Sequence, residues 1–363
     1  MNGRPQRLPE RGRMAVPHMK HPDTGRVYHR SAKPRKGAAR TFGEAADWSD
    51  YHGSAALYQN RIVDLIRCLR PGQWVMKNAL LLAAPFFAWF DRAQPAFSER
   101  APADWVGFFQ PMVLAVIAFV LASSAAYVFN DLHDAAEDSK NPQKKDRPIA
   151  ARRVSPAAAV VLMLLCLIGA GGSALFVGSQ AFLWILGAYL LLQPLYTCWL
   201  RRYDTVGASV VACGFVLRAV AGAFAVGVRF SPWLLLCVFA VALFVSLCKR
   251  RSVHFLDRKH LPSMADGRIL DMEIGLTASV TVACYALYTL APQTLTNFGT
   301  DRLVYTVFPV VLGIFRYLRL TYGERKAGIP EQVILRDPLL LALILGWILL
   351  CGILLWTATP ASA

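Results

Sequence analysis

Pro111-Met-Val-Leu-Ala-Val-Ile-Ala-Phe-Val120-Leu-Ala-Ser-Ser-Ala-Ala-Tyr127-Val-Phe-Asn130 runs for twenty residues without a charge, then turns acidic in Asp131-Leu-His133-Asp134-Ala-Ala-Glu137-Asp138. A helix of that length covers about 30 Å, the thickness of a hydrocarbon layer. The pattern recurs: apolar runs fall at about 74–91, 111–130, 154–177, 181–197, 206–228, 231–248, 274–292, 301–320 and 337–357. Gln193 and Pro194 interrupt the fourth, and glycines thin the fifth. With 55% hydrophobic residues, 17% charged residues and a mean hydropathy of +0.39, the composition rules out a disordered chain and argues against a soluble enzyme. The expected fold is all-α: a polytopic membrane bundle of about nine transmembrane helices.

The chain carries 39 Lys and Arg against 23 Asp and Glu, a formal charge of +16. These bases sit between the apolar runs and form no soluble basic face, so they read as topology signals and anion ligands, with no nucleic acid implied. The segments after spans 2, 4, 6 and 8 are rich in Lys and Arg (Lys144, Arg147, Arg201, Lys249, Arg250, Arg258, Lys326 among them). Those after spans 1, 3, 5 and 7 hold only Arg92, Arg100, Arg229 and Arg302. The positive-inside rule then places the N-terminus in the cytoplasm, the C-terminus outside, and the even-numbered loops on the cytoplasmic face of the inner membrane. Residues 1–60 differ in kind: the first forty hold eleven Lys and Arg against Glu10 and Asp23, with five prolines and no apolar stretch. They are expected to form a disordered basic cytoplasmic tail, leaving 61–363 as the transmembrane domain. The eight cysteines include no CxxC pair and lie mostly inside apolar runs, where they read as small apolar fillers.

The acidic stretch carries the chemistry. Asn130, Asp134 and Asp138 are spaced i, i+4, i+8, and Asp131 lies beside Asp134, so a continuous helix puts all four on one face. Carboxylates at membrane depth are costly without a compensating cation and are functional hypotheses by default. Oxygen donors without Cys or paired His favour a hard ion, Mg²⁺ first, shared with substrate phosphates. His133 points off that face and reads as non-ligating. The loop that follows, Ser139-Lys140-Asn141-Pro-Gln-Lys144-Lys145-Asp146-Arg147-Pro148-Ile149-Ala150, sets bases beside the acids, which suggests a metal-bridged phosphate or diphosphate. Lys77 and Asn78 at the start of span 1, Arg201 at the end of span 4 and Lys249-Arg250-Arg251 at the end of span 6 add cations at the same level. Arg218 stands alone inside the apolar, glycine-spaced span 5; an intramembrane arginine faces a polar cavity or a partner, whether as a ligand or as a structural pair. An ordinary helix end entering water, with lysines placed by topology, is the competing reading of these charges.

Asn130-Asp131-x-x-Asp134-x-x-x-Asp138, followed by Lys144 and Arg147-Pro148-Ile149-Ala150, resembles the first aspartate-rich motif of the UbiA-type intramembrane prenyltransferases. Arg70-Pro71-Gly72-Gln73-Trp74 with Lys77-Asn78, Phe215-Val-Leu-Arg218-Ala-Val-Ala-Gly222, Ser231-Pro-Trp-Leu-Leu-Leu, Lys249-Arg250-Arg251 and Gly313-Ile-Phe-Arg316-Tyr317-Leu318 are similar to the decaprenyl-phosphate phosphoribosyltransferase branch. The resemblance covers about 65–357. It implies a bundle around a central cavity open to the cytoplasm and laterally to lipid. It also implies Mg²⁺ and transfer of 5-phosphoribose from phosphoribosyl pyrophosphate to a polyprenyl phosphate. By the same resemblance, Asp131, Asp134 and Asp138, with Asn130, belong to the Mg²⁺-diphosphate site, and Lys144, Arg147, Lys77, Arg218 and Lys249 neutralise phosphate. Three departures stand out. Met76 reads as an insertion that turns Lys77 by about 100°, Ser139 replaces a usual Arg, and the second acidic position falls near Gly207, with Asp204 one helical turn earlier as a doubtful substitute ligand. An aromatic (4-hydroxybenzoate-type) polyprenyltransferase and a non-catalytic lipid or anion transporter are the alternatives, and a homo-oligomer is compatible with the sequence.

Overall fold

Inside a bilayer every backbone N–H and C=O needs an internal partner, and in the computed structural model the described residues form helices and turns with no strand. The structure describes residues 61–91, 93, 105–256, 264–323 and 330–358. The expected basic tail lies outside them, as do Arg92, Arg100, Arg258, Lys259, Arg325 and Lys326. In chain order, α1 covers 61–69. After it come α2 (Trp105–His133), α3 (Pro156–Val177), α4 (Gln180–Cys198), α5 (Asp204–Val226), α6 (Pro232–Leu256), α7 (Met264–Leu290), α8 (Val307–Tyr322) and α9 (Pro338–Ala358). Among the described residues eight helices, α2 to α9, are long and apolar enough to cross a membrane, α8 together with the turn Arg302–Thr306 before it. The protein is an integral membrane protein. Seven of these spans lie within about four residues of the apolar runs that predict them, and the crossing in α7 begins at Gly267, seven residues before the run at 274–292.

Two expectations need adjustment. Span 4 is continuous: Gln193 and Pro194 lie inside α4, where a proline's missing donor is tolerated. The first expected span is not one helix but a 3-10 turn Pro71–Gln73, a short helix Trp74–Asn78, a 3-10 turn Ala79–Leu82 and a short helix Ala83–Ala88. Its cause is both local and tertiary: Pro85 has no N–H to donate to the carbonyl of Leu81, four residues earlier. The Leu81 carbonyl oxygen lies 1.8 Å from where a Cβ on Gly222 of α5 would be. Only glycine admits that approach, and the tighter 3-10 winding presents the carbonyl to it. This broken segment still reaches across the bundle, with Arg70 at the aspartates and Phe87 stacked edge-on against Tyr288, 6.2 Å between ring centres, near the far end of α7.

α5 is the hub. Its buried face is small (Ala208, Ala212, Gly214, Ala219, Ala221, Gly222, Ala223 and Ala225), which lets neighbouring backbones close in where no hydrophobic force draws helices together. Large apolar side chains such as Leu165, Ile168 and Phe176 of α3 point outward as a lipid-facing surface. All eight cysteines are free. The C-terminal ends of α2, α4, α6 and α8 share one side of the bundle by the alternation of the crossings, and the charged residues collect there.

Candidate active site

The aspartates occupy the end of α2. The helix runs to His133, Asp134 leaves helical geometry (φ −92°, ψ 0°), and a short turn Ala135–Asp138 follows. Asp131, Asp134 and Asp138 are 4%, 6% and 2% exposed, so each carboxylate needs a partner. The Asp134 and Asp138 N–H groups still donate to the carbonyls of Asn130 (3.0 Å) and Asp134 (2.8 Å), so the helical ladder continues through the irregular residue, and the carboxylates divide between two sets of cations. Arg147 Nη1 donates to Asp131 Oδ1 (3.0 Å) and Asp138 Oδ2 (2.6 Å), with Lys144 Nζ 3.5 Å from Asp138 Oδ1. Asp134 instead takes both guanidinium nitrogens of Arg201, one at 2.7 Å, and lies 2.9 Å from His133 Nδ1. His133 is thus a hydrogen-bonding neighbour of Asp134.

Backbone turns deliver these cations. Residues 139–155 fold as successive tight turns, and Ser155 ends them by capping α3, its Oγ accepting from the Ala158 N–H at 3.2 Å. From the other side Arg70, in the left-handed region at φ 55°, sends Nη2 to Asp131 Oδ1 at 2.6 Å and lies over the Tyr127 ring. A non-glycine residue held there costs about 1 kcal/mol or more, and such strain persists where the surroundings enforce it. The surroundings are visible: the Leu69 carbonyl accepts from Trp74 Nε1 (2.9 Å) and Ser124 Oγ (3.2 Å). Sequence reading quoted Arg70 but gave it no role, because nothing in the sequence shows where a left-handed turn will aim a side chain.

Burial pushes the Asp134 carboxyl up, but the hydrogen bonds and charges of Arg201 and His133 outweigh it, and the net shift is downward. The same hydrogen bond raises Arg201 further above its already high range. Both groups stay charged throughout the neutral range.

The remaining expected residues divide by depth. Arg250 Nη1 pairs with Asp204 Oδ1 (2.8 Å) and reaches the Arg201 carbonyl (3.3 Å), and its Nη2 lies 2.1 Å from where a Cβ on Gly207 would be. Asp204 therefore carries an arginine in this structure, and Gly207 makes the space for it. Lys249 is exposed on α6. Lys77 donates to Gln73 Oε1 (2.9 Å) and sits 4.7 Å above the Tyr127 ring. Arg218 is deeper and buried: it donates to Asn78 Oδ1 (3.1 Å), Gly214 O (2.9 Å), Ser123 Oγ (3.0 Å) and Tyr189 OH (2.8 Å), and stacks over the Tyr189 ring. Ser123 precedes Asp131 by eight residues, so this cluster lies about 12 Å further into the membrane. Neither Ser123 nor Tyr189 carries a sequence signal that picks it out from an ordinary packing residue.

Among the described residues no three His, Cys, Asp or Glu side chains converge as a ready metal set. The donor chemistry nonetheless fits a hard divalent ion. Asp131 and Asp138 are drawn to one guanidinium, and Asn130 Oδ1, in the residue before Asp131, is buried without a hydrogen-bond partner. Asp134, held by Arg201, stands apart from that pair. A cavity of about 570 Å³ lined by Leu295, Asp301, Arg302 and Thr357 opens at the opposite end of the bundle.

The profile described as the UbiA prenyltransferase family matches residues 83–332. The chain belongs to that family. It is 30% identical over 301 residues to decaprenyl-phosphate phosphoribosyltransferase of Mycobacterium tuberculosis, covering 81% of this chain and 94% of that one. The Corynebacterium glutamicum protein of the same name is 32% identical over 295 residues, covering 78% and 84%. A UbiA homologue of Archaeoglobus fulgidus, solved with DMAPP and Mg²⁺, shares the fold with a TM-score of 0.60 at 16% identity, over 81% of this chain and 98% of that one. This UbiA-family protein is a membrane-embedded transferase.

Proposed function

We propose that this UbiA-family transferase moves 5-phosphoribose from phosphoribosyl pyrophosphate to a polyprenyl phosphate and releases diphosphate. The observation that carries the reading is the excess of cations around buried acids at one end of the bundle: Arg70, Lys144, Arg147 and Arg201 gather on Asp131, Asp134 and Asp138. Both proposed substrates are anions that must lie close together. The names of the relatives from Mycobacterium tuberculosis and Corynebacterium glutamicum support the same choice.

The chemistry asks for little proton transfer. The anomeric carbon parts from diphosphate through an oxocarbenium-like state, and the acceptor phosphate is already a nucleophile, so no general base is required. Arg147 and Arg201 present fixed forks suited to two phosphate oxygens each, and their buried partners hold them oriented before substrate arrives. Lys144, half exposed beside Asp138, supplies a mobile point charge at the rim. Arg218 spends its hydrogen bonds on neutral oxygens, so its positive charge persists below the aspartates and draws an anionic head group inward. Mg²⁺ held by Asp131 and Asp138 with Asn130 would offset charge on the departing diphosphate. The excess of Lys and Arg in the loops at this end supports a cytoplasmic site, with the N-terminus on the same side and the C-terminus outside.

Purified protein given labelled phosphoribosyl pyrophosphate, a polyprenyl phosphate and Mg²⁺ is expected to yield lipid-linked label and free diphosphate. Prenylation of 4-hydroxybenzoate from a prenyl diphosphate, with no lipid-linked ribose, overturns the proposal in favour of aromatic prenyl transfer.

A further inference from the structure

Helix α1 (61–69) is too short and too charged to cross a membrane, yet its outward face is apolar: Ile62, Val63 and Ile66 are 56%, 44% and 47% exposed. Its inward face buries Leu65, Cys68 and Leu69 together with one charge. Asp64, 5% exposed, pairs with Arg153 Nε (3.1 Å) of the site loop and with Arg67 Nη1 (3.3 Å), while Cys68 is fully buried. A free-standing soluble helix would bury its isoleucines and expose its aspartate. Here the Asp64–Arg153 pair fixes the rotation, and the isoleucines face away from the protein.

The level at which α1 lies explains this. Leu65, Cys68 and Leu69 pack with Val128 and Leu132 of α2 and with Ala159, Leu162 and Met163 of α3. These are the last turns of one membrane span and the first of another. Met163 stands seven residues inside α3, about 10 Å from its start. In those same turns of α3, Val160, Val161 and Leu164 are likewise exposed and lipid-facing. Arg61 and Arg67 flank it, exposed.

We propose that α1 is an interfacial helix docked on the leaflet at the aspartate end of the bundle, with Ile62, Val63 and Ile66 in the acyl boundary and Arg61 and Arg67 at the level of anionic lipid phosphates. A helix with an apolar face bordered by arginines lies in the membrane plane about 5–10 Å deep, which matches the depth of its packing partners. The consequence reaches the site, because Arg70 follows α1 directly and ends on Asp131. The bilayer surface thereby holds one wall of the acidic cluster in place.

The test is spin-label accessibility in the full chain, reconstituted in vesicles of phosphatidylcholine and phosphatidylglycerol. Labels are placed by Val63→Cys or Ile66→Cys in a background with Cys198, Cys213 and Cys237 replaced by Ser. Leu165→Cys in α3 gives the lipid reference and Lys145→Cys in the loop gives the water reference. Both α1 labels should be relaxed by oxygen more than by a water-soluble nickel chelate, on the side of Leu165→Cys. Nickel accessibility equal to that of Lys145→Cys overturns the proposal. Exclusion of both reagents also overturns it, since the face would then be covered by protein.

Discussion

Replacing Gly222 by alanine tests how the broken segment and α5 are fitted together. An alanine Cβ at this position would lie 1.8 Å from the Leu81 carbonyl oxygen, 2.6 Å from its carbon and 2.9 Å from its Cα. Those atoms are backbone and cannot swing aside as a side-chain tip would. Restoring even the tightest ordinary contact separates the two elements by roughly 1.2 Å, and overpacking of this kind costs about 1–3 kcal/mol. The same shift stretches the Arg218 Nε to Asn78 Oδ1 bond, 3.1 Å and one helical turn away, beyond bonding distance. Losing a hydrogen bond to a buried charge adds about 1.5–3 kcal/mol. A total of about 3 kcal/mol or more lowers the thermal midpoint in detergent by roughly 4 °C or more. Gly187→Ala on α4 is the control: it is an exposed mid-helix glycine with no other group within 4 Å, and alanine there is expected to be neutral or stabilising by about 0.5–1 kcal/mol. If both variants melt alike, the close approach of Leu81 to Gly222 does not govern this packing and the reasoning fails.

Other consequences concern the charged end. Asp131→Asn removes the carboxylate shared by Arg70 and Arg147; turnover should fall by about 100-fold or more while insertion persists, and wild-type turnover would refute its role. Arg201→Ala leaves Asp134 with His133 alone. Its carboxyl, now held below the usual range, should rise. Stabilisation that in the wild type survives until the pH falls below that range should then be lost at higher pH, read as an upward move of the acid limb in a plot of melting temperature against pH. Gly207→Ala chiefly displaces the flexible end of Arg250 from Asp204, with the Leu200 carbonyl oxygen, 3.1 Å from the new Cβ, yielding by a few tenths of an ångström; KM for the proposed phosphoribosyl donor should rise several-fold, with a smaller fall in melting temperature than for Gly222→Ala.

Much of this architecture was legible because membrane crossing imposes a length and an apolarity that few other structures need. The runs at 154–177 and 337–357 match α3 and α9 nearly residue for residue. The broken first crossing was half legible: Pro85 marks the weak point, but the glycine that receives the freed Leu81 carbonyl stands some 140 residues away. At the site, residue types and their order pointed to the acidic cluster and its basic loop. Which cation meets which carboxylate did not follow from spacing: Asp131 and Asp138, seven residues apart, share Arg147, while Asp134 is taken by Arg201 from the end of another helix. Lys77 and Arg218 illustrate the same limit, one resting on Tyr127 and the other bonded within the bundle.

The most direct measurement is a cryo-electron microscopy map of the chain with Mg²⁺ and phosphoribosyl pyrophosphate. The expected density is a divalent ion on Asp131 and Asp138, with diphosphate contacting it and the guanidinium groups of Arg147 and Arg201. Donor bound at the far cavity beside Asp301 and Arg302, with the three aspartates touching neither metal nor phosphate, would contradict the account.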